Sequence, residues 1–329
     1  MDNRKVVFSC DDVVMDFKVS GEKLFSKSKT LRALNHVSFQ LYAGESLAVV
    51  GESGCGKSTI CKVAMRFYKP SSGHMKYLDG EIHQLKGADL RTYREKVQMI
   101  FQDPFSALNP LHTIDYHIQR PLKIYHKESK AAMEAKADEY LTMVGLTPPR
   151  EQGIKFPHEL SGGQRQRAYI ARVLAAGAEV ILADEPTSML DVSIRLGVLN
   201  LLNDLKREHK KSFIYITHDI ATARYFADRI IVLYAGHVVE MGEVNKVILE
   251  PKHPYTKLLV AAAPDPEKEG KVELPVKSSD ETEITMRTPD SVGCPFASRC
   301  LEAVDVCFSK MPEKKEISPE QFVCCHKAE

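Results

Sequence analysis

Gly51-Glu-Ser-Gly-Cys-Gly-Lys-Ser58 decides how the rest of this chain is read. It comes directly after Ser46-Leu-Ala-Val-Val50, a nearly all-apolar run that suits a strand buried on both faces. A helical pattern comes next. The segment fits G-x-x-x-x-G-K-[ST] in a strand–loop–helix context, which makes a chance glycine turn a poor alternative. Glycines let the backbone curl so that successive N–H groups converge on phosphate oxygens. The next helix adds the partial positive charge of its N-terminus. In that chemistry Lys57 is a point charge for the β- and γ-phosphates, and the Ser58 hydroxyl is a hard oxygen ligand for Mg²⁺. The expected cradle is Gly51, Glu52, Ser53, Gly54, Cys55, Gly56, Lys57, Ser58 and Thr59, with Cys55 a small filler and not a nucleophile.

Working outward, Val180-Ile-Leu-Ala183 is a second buried-strand run, and it ends in Asp184-Glu185. Asp184 suits the Mg²⁺ shell. Glu185 is next to it but points differently, and so can polarise an attacking water. Alone, the pair would read as a solvated strand end; beside a phosphate loop it reads as catalytic. Further strand runs fall at Val97–Phe101, Phe213–Ile216 and Ile230–Tyr234, with β-rich stretches near Val6 and Val13 and an alternating one at Val37–Leu41. Ala235-Gly236 marks a hairpin. Residues 129–144, 163–176 and 192–208 carry helical patterns, and 20–30 is a Ser/Lys-rich loop. Strands alternating with helices predict an α/β fold with a mainly parallel core sheet and an antiparallel part. Few strand signals occur in 103–160, which is expected to be a helical subdomain.

The 329 residues hold 43% apolar and 27% charged side chains, close to the globular average, so wholesale disorder is not expected. A net charge of +1 gives no support to a large nucleic-acid surface, and no nucleic-acid partner is expected. Without a run of 18 apolar residues or an apolar signal core, the chain is expected in the cytoplasm, free to dock on a membrane protein.

Leu160-Ser-Gly-Gly-Gln164, continued by Arg-Gln-Arg167 and lying upstream of Asp184-Glu185, resembles the signature of ATP-binding cassette (ABC) proteins. Gln102 matches that family's Q-loop. Ser188-Met-Leu-Asp191 is similar to its D-loop, with Met189 where Ala is usual, and His218 matches its switch histidine. The resemblance covers about residues 5–263. Phe101-Gln-Asp-Pro-Phe-Ser-Ala-Leu-Asn-Pro110, Asp191-Val-Ser-Ile, His253-Pro-Tyr-Thr-Lys257 and Gly293-Cys-Pro-Phe-Ala-Ser-Arg-Cys300 resemble the oligopeptide/dipeptide importer branch, and the first and the signature look more like its F-type subunit.

The resemblance implies a P-loop ABC ATPase domain over 1–263, a linker over 264–292 and a cysteine-rich extension over 293–329. It implies two ATPase chains head to tail, here a heterodimer with a second ABC ATPase subunit. Ser161, Gly162, Gly163 and Gln164 would then act in trans on the partner's nucleotide. It assigns Glu185, His218 and Gln102 to catalysis, Ser58, Gln102 and Asp184 to Mg²⁺, and Asp191 to the dimer interface, where a helix N-cap is the alternative. Phe17 stands where the family often stacks adenine on an aromatic, with Phe25 as runner-up; a core role for Phe17 is the alternative. Two transmembrane permeases and an extracytoplasmic substrate-binding protein are the implied partners, at the cytoplasmic face of the inner membrane. A permease helix is expected near Phe105–Pro110, with Phe105, Leu108 and Leu111 as apolar contacts, unless they fill the subdomain core. Import of nickel or an oligosaccharide, or a soluble cassette ATPase acting on ribosomes or DNA, are the competing functions.

Eight cysteines are present, five of them between Cys294 and Cys325. A reducing cytoplasm disfavours disulfides, so such a local group more often means metal. Cys294, Cys300, Cys307 and Cys325 are spaced C-x₅-C-x₆-C-x₁₇-C. These gaps are wider than zinc knuckles and suit a [4Fe–4S] cluster better, with Zn²⁺ as the alternative. Some relatives with this extension carry the cluster. Cys324 competes with Cys325 for the fourth place, and the family pattern, which ends in Cys-His, favours Cys325.

Overall fold

The computed structural model describes residues 4–19, 29–262 and 287–328. Phe25, most of the Ser/Lys-rich loop and most of the 264–292 linker lie outside them. Two compact units are present. One comprises 84–214 with short pieces near residues 1–5 and 42–45; the other comprises 6–41, 46–83 and 215–329.

The strands are β1 (Val6–Val19), β2 (Lys29–Tyr42), β3 (Ser46–Val50), β4 (Ser72–Tyr77), β5 (Gly80–Glu81), β6 (Val97–Ile100), β7 (Val180–Asp184), β8 (Ser212–Thr217), β9 (Arg229–Tyr234), β10 (His237–Glu243), β11 (Lys315–Ser318) and β12 (Gln321–Val323). The two β-rich stretches near the N-terminus merge into the single long β1. A register shift between Asp11 and Val14, with Asp12 at φ 54°, keeps both apolar runs facing inward.

In the second unit, β2-β1-β4-β5 form a four-stranded sheet. Beside it, β3 pairs parallel with β9, and all five β3 residues are buried, as its unbroken apolar run predicts. Ala235 (φ 44°) and Gly236 (φ 80°) then turn β9 back into antiparallel β10; two left-handed residues are what a tight two-residue hairpin needs. That turn supports the loop after β3: the Gly236 N–H donates to the Cys55 carbonyl at 2.9 Å. The cysteine-rich extension joins the same sheet, with β12 antiparallel to β10 and β11 to β12. Glu240, wholly buried, accepts the backbone N–H groups of Lys252 and His253 and the Gln321 amide, and so ties β10 to β12.

In the other unit β6 and β7 pair parallel, from Val97↔Val180 to Ile100↔Ala183. Helices Ile114–Pro121, Lys130–Met143 and Pro149–Gly153 fill the strand-poor 103–160 stretch. The expected helix 163–176 is Gly162–Ala175, and 192–208 is Val192–Arg207.

His237 lies buried at the start of β10. Its Nδ1–H donates to the Ala235 carbonyl at 2.8 Å, and its Nε2 accepts the Asn35 amide. Burial pushes its pKa down to about 4. The unfolded chain, with an ordinary histidine, therefore binds more protons between pH 6.5 and 4, and this residue's contribution to stability is lost as pH falls through that window. We expect a cost of about 1.4 kcal/mol per pH unit there, the linkage slope for one proton. Urea melts of wild type and His237→Gln at pH 7 and pH 5 check it: the variant should show the shallower acid loss.

Candidate functional site

The phosphate loop takes its shape from contacts that leave no room for side chains. At Gly51 (φ 155°) a Cβ would sit 2.1 Å from the Leu233 carbonyl oxygen, and at Gly56 (φ 106°) 2.3 Å from that of Ala33. Both positions are closed to other residues on conformation and on space. Gly56 caps helix Lys57–Ala64, whose N-terminus opens toward the loop. The Lys57 side chain, only 5% exposed, folds back so that Nζ donates to the carbonyls of Gly51 and Glu52 at 2.7 and 2.8 Å. Burial raises the Cys55 thiol, in keeping with an inert filler. Phe17 is half-buried with its ring edge-on to Tyr68 at 5.1 Å, so the pair forms an aromatic wall and Phe17 is not a core residue. His218 is exposed at the end of β8.

Glu52 is gripped from three sides. Its carbonyl takes Lys57, its N–H donates to the Tyr255 hydroxyl at 2.9 Å, and its carboxylate receives a two-pronged bond from Arg299 at 2.9 and 3.1 Å. That bond holds the Arg299 guanidinium well above its ordinary range. Sequence reasoning missed both Tyr255 and Arg299. They lie 203 and 247 residues from Glu52, and no local pattern connects them.

In the other unit, buried β7 delivers Asp184 at 6% exposure and then Glu185 at φ 45°. A left-handed glutamate is uncommon and turns this carboxylate away from its neighbour's direction. The Gln102 amide donates to Glu185 Oε2 at 3.4 Å, a long bond that brings two of the expected catalytic residues together. The Gln102 segment is also tied to the signature helix: Phe101 stacks on Tyr169 at 6.3 Å, the Tyr169 hydroxyl donates to Met99, and Arg172 donates to Ala107.

Ser161 and Gln164 form a reciprocal cap on helix Gly162–Ala175. The Gln164 N–H donates to Ser161 Oγ at 3.3 Å and the Ser161 N–H to Gln164 Oε1 at 3.0 Å. Ser161 stays exposed on a groove of about 380 Å³ shared with Gly163, Gln164, Arg167 and Ile194. Asp191 occupies the N-cap position of Val192–Arg207, yet its side chain makes no capping hydrogen bond. Leu108 is buried at 1% exposure and belongs to the subdomain core, correcting its place among docking contacts, whereas Leu111 is 79% exposed. The Phe105 side chain lies outside the described residues.

Cys294, Cys300, Cys307 and Cys325 line one pocket with His253 and Phe296; Cys324, on the opposite side of the extended chain, lines another with Val239 and Phe322. The free space among the four is about 20 Å³, about what one water needs. Burial pushes the Cys294 thiol up to about 11 and raises Cys300 as well. Among the described residues no group of three or more His, Cys, Asp or Glu is gathered closely enough to hold a metal ion. Four thiols thus line the pocket, with no coordination sphere gathered among the described residues.

Residues 34–188 match the family model of the ABC transporter, and residues 239–307 match that of the oligopeptide/dipeptide transporter C-terminal region. A Bacillus subtilis protein named for oligopeptide transport is 42% identical over 91% of each chain. An oligopeptide transport ATP-binding protein of Haemophilus influenzae is 38% identical over 99% of this chain and 98% of its own. A di/tripeptide transport ATP-binding protein of Pseudomonas aeruginosa is 39% identical over the same shares. Among solved structures, a dimeric ATP-binding cassette in a post-hydrolysis state with ADP and Pi superposes with a TM-score of 0.63 at 32% identity, covering 72% of this chain and 98% of that one.

At Gly163 a Cβ would meet Ile194 at 2.4 Å. Gly163→Ala should lower stability by about 1–3 kcal/mol through overpacking. Adding Ile194→Ala should return most of that loss, as thermal melts of the single and double variants will show.

Proposed function

We propose, from the premise that this chain belongs to the ABC transporter ATPases and carries the C-terminal region of their oligopeptide/dipeptide branch, that it hydrolyses ATP to power import of peptides. The observation that supports the reading most is the Gln102–Glu185 contact at the end of β7. Lys57 exchanges its two carbonyl partners for the β- and γ-phosphates, while N–H groups of 51–59 surround the rest. Phe17 stacks on adenine. Ser58, Asp184 and Gln102 would hold Mg²⁺, which would supply positive charge to screen the phosphates. Glu185 takes a proton from the attacking water and His218 keeps that water aligned. Ser161, Gly162, Gly163 and Gln164 bind the γ-phosphate held by a second ABC ATPase chain from the far side, and Asp191 lies in that interface. Loss of the γ-phosphate removes a charge bridge and opens the pair.

The chain then works as a peripheral subunit at the cytoplasmic face of the membrane, with two permeases that receive solute from a binding protein. No helix of the described residues is long and apolar enough to cross a membrane. The docking site we assign is the groove of about 380 Å³ lined by Asn109, His112, Tyr116, Ile124 and Arg172, because Arg172 and Ala107 link it to the Gln102 segment. The four pocket cysteines are our ligands for a [4Fe–4S] cluster. Their wide spacing supports a group larger than one ion, and they would hold it as thiolates. A cluster at this place would give the extension a core of its own.

Glu185→Gln, with the matching change in the second ATPase, should retain ATP binding and lose about 10²–10⁴-fold in turnover. Steady-state hydrolysis by the reconstituted complex measures it, and near-normal turnover removes Glu185 from the role. Ile124→Asp should reduce co-purification of the permeases while leaving nucleotide binding unchanged. Iron, sulfide and zinc analysis after anaerobic purification should give iron with labile sulfide. Stoichiometric zinc without sulfide would falsify the cluster, and Cys325→Ser that keeps its metal would move the fourth ligand to Cys324.

A further inference from the structure

Arg299 belongs to the loop between Cys294 and Cys300, a tight run closed by hydrogen bonds from Ala297 to Cys294, Arg299 to Phe296 and Cys300 to Ala297. Its neighbour Phe296 is buried against Tyr234, Tyr255 and His253, with ring centroids 5.2, 5.4 and 6.0 Å away. This aromatic packing aims the Arg299 side chain. The guanidinium lies over the rings of Tyr234 and Phe296, donates to the Tyr234 hydroxyl at 3.3 Å, and ends on both Glu52 oxygens. Arg299 is 18% exposed and Glu52 29%, so the pair is shielded from bulk water more than a surface ion pair is. Tyr255, from the same aromatic group, holds the Glu52 N–H. Both contacts land on the second residue of the phosphate loop.

A carboxylate there is an odd choice for a loop that receives anions, since a second negative charge repels the triphosphate. Arg299 removes that cost and fixes the rotamer. We propose that Arg299 is a positioning residue of the nucleotide site: by holding and neutralising Glu52, it makes the phosphate loop's affinity for a nucleoside triphosphate depend on the cysteine-rich extension. Disturbance of the Cys294–Cys300 loop moves Arg299 and leaves Glu52 uncompensated, so the condition of the cysteine pocket is transmitted to the nucleotide. The inference rests on the nucleotide reading of residues 51–59.

The test measures Mg-ATP binding and steady-state hydrolysis for the full chain in its complex, for wild type, Arg299→Ala, Glu52→Gln and the double variant. Arg299→Ala should weaken binding and raise KM about tenfold, the factor that one charge-assisted contact carries, with kcat unchanged. Glu52→Gln serves as the uncharged background: adding Arg299→Ala to it should change the affinity less than about twofold, because no charge is left to neutralise. A merely structural role would make Arg299→Ala cost as much in that background as in wild type, and that result, or an unchanged Kd in Arg299→Ala, overturns the proposal. Arg299→Met keeps the stem packed on Phe296 and Tyr234, and gives the same reading where the alanine variant does not fold. Wild type that fails to bind Mg-ATP at all defeats the nucleotide reading instead.

Discussion

A buried lysine ammonium organises this molecule. Lys57 is taken out of water at the mouth of a helix, and its charge is met by two carbonyl oxygens. Holding such a charge in place needs a rigid loop, and the loop's rigidity is borrowed from everything around it. Strand β3 must be buried on both faces, the β9–β10 turn must reach back to Cys55, and glycine is obligatory where the Leu233 and Ala33 carbonyls press against Gly51 and Gly56. The unusual tightness of these backbone contacts explains why a motif of eight residues carries so much of the fold.

The parts of the site that obey local rules were legible in the sequence. Strands β3, β6, β7, β8 and β9 were marked by short apolar runs, and Ala235-Gly236 by its turn chemistry. Glu185, the residue we propose as the base, could be located because it follows a buried strand; its left-handed backbone could not, since nothing in Asp-Glu-Pro dictates φ. Leu108 shows the limit of reading exposure from an irregular loop: one apolar residue among Asn, Pro and Ser goes inside, and its neighbour Leu111 stays out. The two halves of β1 looked like separate strands because a bulge breaks the alternation that would have joined them.

Long-range polar partners were beyond reach for a different reason. Tyr255 and Arg299 lie in segments that the sequence marks, but nothing local points either at Glu52, and only folding brings them together. The same holds for Glu240, whose wholly buried carboxylate is offset by backbone N–H groups of a turn twelve residues on and by an amide from β12. By contrast, the Ser161–Gln164 cap is visible as S-x-x-Q before an apolar helix, and it leaves the Ser161 hydroxyl proton free to donate outward while its oxygen is engaged in the cap.

The pairing of β12 with β10 has a consequence for the edge of the sheet. Without it, β10 would end the sheet with a row of open N–H and C=O groups on a strand carrying Val238, Val239 and Met241. Such an edge recruits other chains. The extension closes it with a three-residue strand, and the new border, β11, is four residues long with Lys315 and Glu316 exposed on it. A protease that clipped the chain before residue 287 would therefore do more than remove a tail: it would convert a protected sheet into a template for aggregation.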